Sequence, residues 1–418
     1  MVVLTGEQGG GIIGCTTAYF LTRHPSFNPS LHKITLIEAT KIAGGASGKA
    51  GGLLALWAYP PNIVPLSYRL HAELATEHNG AEEWGYRRIH CGQLEARGRP
   101  TAGDGKNKSK ANGDSVSLQK RSKDAIGKLR AAGIPKDLDW FAPGGVEGYD
   151  EMGDPNTTAQ VHPYQFTTSM ARLASEKGAE IKLGSVTEIA YEPEGVEGVK
   201  SVTYTDKESS ESCTIPATHI ILSAGPWTRT VYPPAPISAL RAHSVTVRPS
   251  RPVSAYAIFT QIALPPDFHS TTGESAKPSF KRGRGSTIVT PEIYARPGNE
   301  VYACGEGDSL IPLPNTSDLV QVDERRCDEI VEYISAISDE MRDGEVTARQ
   351  ACYLPNVSGA ASGPLIGETG VKGLLMAAGH TCWGIQNGPG TGKLMSEFVF
   401  DGKAKSADVR SLDPRRVL

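Results

Sequence analysis

A glycine-rich turn near the start of the chain constrains the fold more than any other feature of the sequence. The stretch GGGIIG places Gly9, Gly11 and Gly14 at the spacing G-x-G-x-x-G. The apolar run MVVLT precedes this turn, and Ile12, Ile13 and later apolar residues recur at roughly helical spacing after it. This order predicts a buried parallel strand, a tight turn and a helix.

A second predicted strand, KITLIEA, spans residues 33–39 and carries an acidic side chain, Glu38, near its end. In such a β-α-β unit, Gly9 permits the tight turn, Gly11 lets the backbone approach a pyrophosphate, and Gly14 lets helix and strand pack closely. The helix N-terminus offers free N–H groups to phosphate, and Glu38 can accept hydrogen bonds from a ribose diol. Strand, helix and acid together predict a dinucleotide site rather than an ordinary glycine-rich turn.

A second loop rich in glycine and serine, IAGGASGKAGGLLA, follows this strand at residues 42–55. It supplies further N–H and hydroxyl donors for phosphate and lets the backbone approach a flat ring closely. The alternative, a flexible linker, is weakened by the apolar stretch GGLLALWAYP that begins within the loop. A simple nicotinamide site does not need this loop, so the pattern disfavours that class of dinucleotide site.

Two later segments complete the pattern. Residues 218–228, THIILSAGPWT, indicate a strand that ends in a tight turn, and residues 370–402 indicate a strand, a glycine-rich loop and a helix. Together these motifs resemble the FAD-dependent amino-acid and amine oxidoreductases of the D-amino-acid-oxidase superfamily, which includes glycine oxidase and sarcosine oxidase. The chain resembles in particular fungal members that carry the ending GHTCWGIQNGPGTG, and the resemblance covers nearly the whole chain except two loops.

The resemblance implies an α/β fold, α+β overall. It consists of a Rossmann-like FAD-binding domain of the glutathione-reductase type and an interleaved antiparallel-sheet substrate domain. Residues 1–67, 155–240 and 345–418 would form the FAD-binding domain. Residues 68–154 and 241–344 would form the substrate domain.

Three segments fall outside the predicted elements. Residues 97–124 and 265–286 are rich in Gly, Ser and Lys and poor in apolar residues, so we expect disordered, solvated insertions. Their basic clusters lack the aromatic platforms that nucleic-acid binding requires. Residues 5–8 separate the first strand from the first glycine, so either this loop is longer than usual or the sequence near residue 1 is misassigned.

The resemblance also implies which residues contact FAD. They lie in the two N-terminal loops, at the ends of later strands and in the C-terminal loop: Gly9, Gly11, Ile12, Ile13, Gly14, Glu38, Ala39, Ala46, Ser47, Gly48, Gly51, Gly52, Leu53, Val186, Ala224, Gly225, Trp227, Cys352, Gly379, His380, Gly384 and Ile385. Val186 would bind adenine through its backbone. A helix beginning near Gly390 would direct its N-terminus at the flavin, where a positive dipole end stabilises the reduced, anionic ring.

His380 and Trp383 are the residues expected to meet the substrate, and hence the catalytic candidates. The alternative for His380 is a structural role in which its ring is bonded to the backbone. Amine oxidation by a flavin needs little acid–base help when the neutral amine gives up a hydride, so the absence of an obvious base does not argue against catalysis.

Cys352 lies where sarcosine oxidase and fructosyl-amine oxidases carry a cysteine bound covalently to the flavin. The thiol would react as its thiolate, and the alternative is a small buried cysteine packed beside the ring.

Two departures from the family concern the substrate and the electron acceptor. Leu354 stands where glycine oxidase has an Arg that clamps the substrate carboxylate, and Leu cannot replace a bidentate Arg–carboxylate pair. Arg349 is five residues away and on the other face of a strand. The stretch 291–309 lacks the Lys that sarcosine oxidase uses to react with oxygen, which leaves the electron acceptor open.

Composition argues against several other classes of protein. A net charge of -3 favours neither nucleic acid nor an anionic membrane as partner. Seven cysteines without a C-x-x-C spacing argue against a metal site or a disulfide framework. The sequence has no apolar run long enough to span a bilayer, no signal peptide and no C-terminal S-K-L, so a cytoplasmic location is expected. The oligomeric state is not predicted.

The leading functional hypothesis is an FAD-dependent oxidoreductase that oxidises a C–N bond of a small amine or modified amino acid by hydride transfer to the flavin. The alternative is a catalytically degenerate flavoprotein that acts as a binding or trafficking module, and the missing Arg and Lys keep this alternative open. A nicotinamide-dependent dehydrogenase is disfavoured, because neither the second glycine loop nor the C-terminal ending has a use in such a site.

Overall fold

The computed structural model describes residues 2–5, 9–100, 133–193, 198–266, 268, 280–282, 286–359 and 363–418. Residues 6–8, most of the insertion expected at 97–124 and most of the one expected at 265–286 lie outside the described residues. The helices are α1 (Ile12–Leu21), α2 (Ala46–Lys49), α3 (Val64–Glu77), α4 (Gly80–Trp84), α5 (Pro163–Ser175), α6 (Thr228–Val231), α7 (Glu324–Ile337), α8 (Asp339–Arg342) and α9 (Gly384–Asp401).

The described strands lie between these helices, singly or in runs of several. They are β1 (Val2–Thr5), β2 (Ile34–Glu38), β3 (Leu53–Ala55), β4 (Arg87–Arg88), β5 (His90–Arg97), β6 (Val146–Gly153), β7 (Thr158–Gln160), β8 (Ala179–Tyr191), β9 (Val199–Asp206), β10 (Ser212–Pro216), β11 (His219–Leu222), β12 (Ile237–Arg248), β13 (Tyr256–Leu264), β14 (Phe280–Arg282), β15 (Ser286–Val289), β16 (Glu292–Arg296), β17 (Glu300–Asp308), β18 (Glu345–Val357), β19 (Leu365–Glu368) and β20 (Leu374–Ala378).

The first sheet brings the glycine-rich loops together. Among the described residues it has eight strands in the order β10-β9-β8-β2-β1-β11-β20-β19. The five central strands, β8-β2-β1-β11-β20, are parallel, and the outer pairs are antiparallel. Because the carboxyl ends of parallel strands lie at one edge of a sheet, the loops after β1, β2, β11 and β20 meet there.

Three helices, α1, α5 and α9, share one apolar core with the first sheet. Their buried side chains include Leu21 of α1, Met170 of α5 and Leu394 of α9. The glycines of the GPGTG motif lie inside α9 and let α1 and α3 approach closely. A Cβ on Gly392 would lie 2.6 Å from the carbonyl carbon of Thr16, and one on Gly390 would lie 2.2 Å from the hydroxyl of Ser67. This part of the motif therefore serves helix packing.

The second sheet forms the other half of the fold. Its described strands run β14-β15-β13-β16-β17-β12-β18, and β5 and β6 join it through β13. All pairs are antiparallel except β5 with β13, which is parallel. One face packs Val245 and Ile293 against Ile330 of α7. The opposite face packs Tyr294 against Leu53 of β3, and so turns toward the second glycine-rich loop.

The strands of the two large sheets interleave along the chain. A small third sheet, β3-β7-β4, lies beside the second loop. β18 hydrogen-bonds to β12 along its whole length and belongs to the second sheet. The domain boundary predicted at residue 345 instead places this strand in the FAD-binding domain. The predicted domain boundaries stay a prediction.

Candidate active site

The N-terminal glycine turn leads directly into α1. Gly11 stands at the N-cap of this helix without a side-chain cap, and the backbone N–H of Ile12 donates to the hydroxyl of Ser47 at 2.9 Å. A Cβ on Gly14 would lie 1.9 Å from the carbonyl oxygen of Gly9. The third glycine is thus required by the backbone of the turn itself. The two glycine-rich loops are joined at the end of α1 where phosphate would bind.

Glu38 lies beneath this turn. Its side chain is 1% exposed, and its Oε2 accepts the backbone N–H of Gly10 at 2.9 Å. Its Oε1 accepts the backbone N–H and the hydroxyl of Thr40, each at 3.0 Å. Burial raises the pKa of this carboxyl to about 7. Glu38 therefore ties the turn to the end of β2, and its contact with a ribose stays a prediction.

A cavity opens between the two large sheets, at the carboxyl edge of the first. One side is formed by the two N-terminal loops, and the other by β18, the turn after β11, β20 and the start of α9. Its lining residues are Gly11, Ile12, Ile13, Ala46, Ser47, Ala50, Ser223, Gly225, Pro226, Leu354, Pro355, Ala377, Ala378, Gly379, His380, Thr381, Cys382, Gly384 and Ile385.

The chemistry of this lining fits FAD. The N-termini of α1 and α9 both reach the cavity, and each presents backbone N–H groups and a positive dipole end. The hydroxyl of Ser223 is buried and has no hydrogen-bond partner among the described residues, so it is available to a ligand. Ala377 and Ala378 at the end of β20 add apolar surface. Donors for a pyrophosphate and an apolar slot for a ring are thus combined in one cavity.

The helix predicted to begin near Gly390 begins earlier, at Gly384, so that prediction was wrong. Pro389 lies inside the helix and has no N–H with which to bond the carbonyl of Ile385. His71 of α3 supplies the missing donor, because its Nε2 lies 3.0 Å from that carbonyl oxygen. The contact comes from 314 residues away in the chain, which is why local sequence signals misplaced the start.

The two catalytic candidates occupy different places. His380 lines the cavity, is 3% exposed, and its Nε2 lies 3.0 Å from the hydroxyl of Thr391. Burial lowers the pKa of His380 to about 3, so its ring is neutral near pH 7. Trp383 is the N-cap residue of α9 and packs edge-to-face on Trp57, with ring centroids 5.8 Å apart. Trp383 lies next to the cavity lining without belonging to it.

The structure brings only some of the expected FAD residues into the cavity wall. Gly11, Ile12, Ile13, Ala46, Ser47, Gly225, Gly379, His380, Gly384 and Ile385 line it. The remaining positions do not line it: Gly9, Gly14, Glu38, Ala39, Gly48, Gly51, Gly52, Leu53, Val186, Ala224, Trp227 and Cys352. Trp227, for example, is 1% exposed and donates its ring N–H to the carbonyl of Pro314. The cofactor contacts of all these residues stay predictions.

Cys352 and Leu354 lie on the same face of β18, and only Leu354 lines the cavity. Burial raises the pKa of the Cys352 thiol to about 11, although the nearby Lys49 ammonium lowers it. Arg349 lies on the opposite face, where its guanidinium contacts Asp328 of α7 at 2.8 Å. Arg349 therefore does not line the cavity, and the expected replacement of a carboxylate clamp by Leu354 stays a prediction.

Comparison with known proteins assigns the family. Residues 9–398 match the DAO family, described as FAD dependent oxidoreductase. The chain belongs to this family. It is 38% identical to a Saccharomyces cerevisiae protein named "Putative oxidoreductase TDA3", over 97% of this chain and 93% of that protein. It is 35% identical to a similarly named Schizosaccharomyces pombe protein, over 97% of this chain and 96% of that protein.

Solved structures of other flavoenzymes share the fold. Glycine oxidase from Bacillus cereus has a TM-score of 0.65 at 18% identity, with 97% of this chain and 96% of that chain covered. Iminodiacetate oxidase from Chelativorans has a TM-score of 0.66 at 17% identity, with 99% of each chain covered. The predicted family, fold class and FAD dependence are confirmed.

Sequence reasoning missed several polar residues of this DAO-family site. Lys49 of α2 donates to the carbonyl of Ala351 at 2.9 Å, beside Cys352. Glu292, Tyr294 and Cys304 lie together on the face of the second sheet that turns toward the loops. The sequence of β16 does indicate a strand with two distinct faces, because Glu292 and Tyr294 alternate with apolar residues in EIYAR.

The described part of this DAO-family protein lacks two features. In the part of the chain that the structure describes, no group of His, Cys, Asp and Glu side chains could hold a metal ion. No helix among the described residues is both long and apolar enough to cross a bilayer.

Proposed function

We propose that the chain oxidises a C–N bond in a small amine or amino-acid-like substrate, with FAD as the hydride acceptor. The observation that carries the proposal is the position of the cavity. The donors for FAD come from loops of the first sheet, whereas the facing wall comes from Leu354 and Pro355 of the second sheet. A flavin in this cavity would have a second protein surface beside it, which a substrate site requires. Oxidation of amines also accords with the names of the related glycine and iminodiacetate oxidases.

FAD, when bound, supplies the group that accepts a hydride from the carbon next to the substrate nitrogen, and the imine product hydrolyses in water. The chain supplies the surroundings. Leu354, Ala377 and Ile385 exclude water from the cavity wall. The N-terminus of α9 offers its positive dipole end to negative charge on the reduced cofactor. His380 is neutral, so it donates or accepts a hydrogen bond without adding charge.

The strand β8 supports the expected position of adenine. Leu183 pairs with Glu38 at the last residue of β2, so beyond that point this edge of β8 is free of any strand among the described residues. The carbonyl of Leu183 accepts the backbone N–H of Lys207 on the opposite edge, at 3.0 Å. Because successive residues of a strand face alternate edges, the peptide groups of Val186 face the free edge. A base edge could pair there with the backbone of Val186.

Anaerobic titration of the FAD-loaded protein tests the proposal. Primary, secondary and tertiary amines and free amino acids are added in turn, and the visible flavin absorbance is followed. The expected result is bleaching by at least one C–N compound, with the matching carbonyl compound as product. If dithionite bleaches the flavin and no amine does, the alternative of a degenerate, binding-only flavoprotein is supported. A protein that takes up no FAD at all would contradict both.

A further inference from the structure

We propose that the second sheet presents a chamber for a secondary or tertiary ammonium ion without a neighbouring carboxylate. Glu292 would be the counter-charge, and the rings of Trp57, Phe259, Tyr294 and Trp383 would form the walls. The inference rests on the proposed function, because it names the substrate class of the same site.

The carboxylate of Glu292 faces the loops that form the cavity. Glu292 lies directly opposite Phe259 of β13 on one side and Cys304 of β17 on the other. Residues directly opposite in a sheet share a face, so these side chains stand together. The hydroxyl of Tyr294 donates to the Glu292 carboxylate, and the Cys304 thiol lies 3.8 Å from it.

No Lys, Arg or His of the described residues forms an ion pair with Glu292. The nearest cation on the same strand, Arg296, is instead paired with Glu300 at 2.7 Å. A half-buried carboxylate without a cation is costly to maintain in an apolar setting. A cationic ligand would offset that cost.

Aromatic rings continue from this carboxylate to the outside of the protein. The Tyr294 and Phe259 ring centroids lie 6.2 Å apart, and those of Phe259 and Trp57 lie 6.1 Å apart. Trp57 in turn lies 5.8 Å from Trp383. Trp57 is 38% exposed, which places it at the mouth of the chamber. Ring faces attract alkylated ammonium ions, and such ions are commonly bound by aromatic walls.

The chamber adjoins the FAD cavity. Cys382 lines that cavity and precedes Trp383 in the chain. Trp383 packs on Trp57 with ring centroids 5.8 Å apart, so the aromatic wall begins at the residue next to this lining. A ligand nitrogen at Glu292 would therefore lie near the edge of the cavity, where a flavin would be.

The same surroundings disfavour a carboxylate on the ligand. Among the described residues, no Lys or Arg lines the cavity, whereas the apolar Leu354 does. A carboxylate beside Glu292 would be repelled, because like charges in an apolar site raise each other's energy.

Glu292 can also prepare the amine for oxidation. The N–H proton of the bound ammonium moves to a carboxylate oxygen of Glu292, which leaves a neutral amine and a carboxylic acid. The adjacent C–H bond then breaks: its hydride leaves to the acceptor, and the nitrogen lone pair forms the C=N bond of an iminium ion. Burial raises the pKa of Glu292, which makes this carboxylate a better proton acceptor than an exposed one.

Calorimetry on the FAD-loaded protein tests the chamber without depending on turnover. The probe is tetramethylammonium, with tert-butanol as the neutral analogue and trimethylglycine as the carboxylate-bearing analogue. We expect Glu292→Gln to weaken tetramethylammonium binding about tenfold or more, with tert-butanol affinity unchanged. Glu306→Gln, which changes an exposed glutamate on β17, is the matched control and should bind as wild type. Flavin absorbance and melting temperature verify that each variant is folded.

Two results would overturn the inference. One is equal tetramethylammonium affinity in wild type and Glu292→Gln, and the other is tighter binding of trimethylglycine than of tetramethylammonium. Failure of the proposed function looks different: tetramethylammonium would bind in a manner that depends on Glu292, yet no amine would bleach the flavin. The two hypotheses can thus fail separately.

Discussion

The hydroxyl of Tyr294 donates a hydrogen bond to the carboxylate of Glu292, two residues earlier on β16. Both side chains leave the same face of the strand, as residues two apart must. Burial raises the pKa of Glu292, and the bonds from Tyr294 and Cys304 lower it. Tyr294 therefore favours the charged form of a carboxyl that its apolar surroundings disfavour.

Replacing Tyr294 with Phe should move the acid limit of ammonium binding to higher pH. Glu292 attracts a cation only as the carboxylate, so affinity falls as the pH drops through the pKa of Glu292. Without the Tyr294 hydroxyl this pKa rises further, and the loss of binding begins at a higher pH. Tetramethylammonium titrations across a pH series measure the shift. Tyr302→Phe removes a hydroxyl from the same sheet face and should keep the wild-type profile.

Among the described residues, the other titratable side chains near Glu292 stay neutral at the pH values at which Glu292 takes up a proton. Burial raises the pKa of each one above its ordinary value: Cys91, Tyr294, Cys304 and Cys382. Tetramethylammonium binding is therefore expected to be lost in a single step as the pH falls. Coinciding profiles for wild type and Tyr294→Phe would show that some group other than Glu292 controls binding.

Gly14→Ala should impair FAD binding through the shape of the N-terminal turn. An added Cβ would lie 1.9 Å from the carbonyl oxygen of Gly9, so the turn must move. Overpacking of this kind costs about 1–3 kcal/mol, which corresponds to roughly tenfold weaker binding of FAD. Fluorescence titration of the apoprotein with FAD measures the change. Gly148→Ala on β6, where an added Cβ meets nothing within 4 Å, is the control, and equal affinity in both variants would contradict the argument.

The sequence was sufficient for those parts of the site that local chemistry determines. The order of β1, the glycine turn, α1 and β2 follows from glycine spacing and apolar periodicity over fewer than 40 residues. The loop containing Ala46 and Ser47 was found for the same reason, since its composition alone marks it as a ligand loop. These features need no knowledge of distant contacts.

Long-range contacts determine the features that the sequence did not predict. The start of α9 depends on His71, which bonds the carbonyl that Pro389 leaves free. The grouping of Glu292 with Phe259 depends on the pairing of β13 with β16, which joins residues about 33 positions apart. Neither the His71 contact nor the pairing of β13 with β16 is indicated by neighbouring residues in the sequence. The chamber could therefore be inferred only from the register of the second sheet.

Acid precipitation should leave the flavin in the supernatant. A covalent bond to Cys352 requires its thiolate, and burial raises the pKa of this thiol to about 11, so little thiolate exists near pH 7. The wall of the cavity at this point is Leu354 rather than Cys352. Absorbance of supernatant and pellet measures the partition, and Cys352→Ala should match the wild type. Flavin in the wild-type pellet but not in the pellet of this variant would establish the covalent bond instead.

Lys49→Met should slow the oxidation of the reduced flavoprotein by oxygen about tenfold, with little change in reduction by substrate. Lys49 lies between the cavity-lining residues Ser47 and Ala50, and its ammonium is held at the carbonyl of Ala351. A fixed positive charge there would stabilise the negative charge that oxygen acquires. Stopped-flow mixing of the dithionite-reduced protein with oxygen measures the rate. Lys41→Met, at an exposed lysine, is the control, and equal rates in all three proteins would exclude oxygen activation by Lys49.

His71→Gln should flatten the dependence of stability on pH between about pH 6.5 and 4. His71 is fully buried, and burial lowers its pKa from 6.5 to about 4. The unfolded chain therefore binds a proton in this window that the folded chain does not, and stability falls as the pH falls. Gln can keep the donor to the carbonyl of Ile385 without titrating. Thermal unfolding at several pH values should show the wild type losing a few degrees more than the variant between pH 7.5 and 5. Parallel losses in the two proteins would mean that His71 is already charged in the folded state, and the bond that completes α9 would then involve the imidazolium.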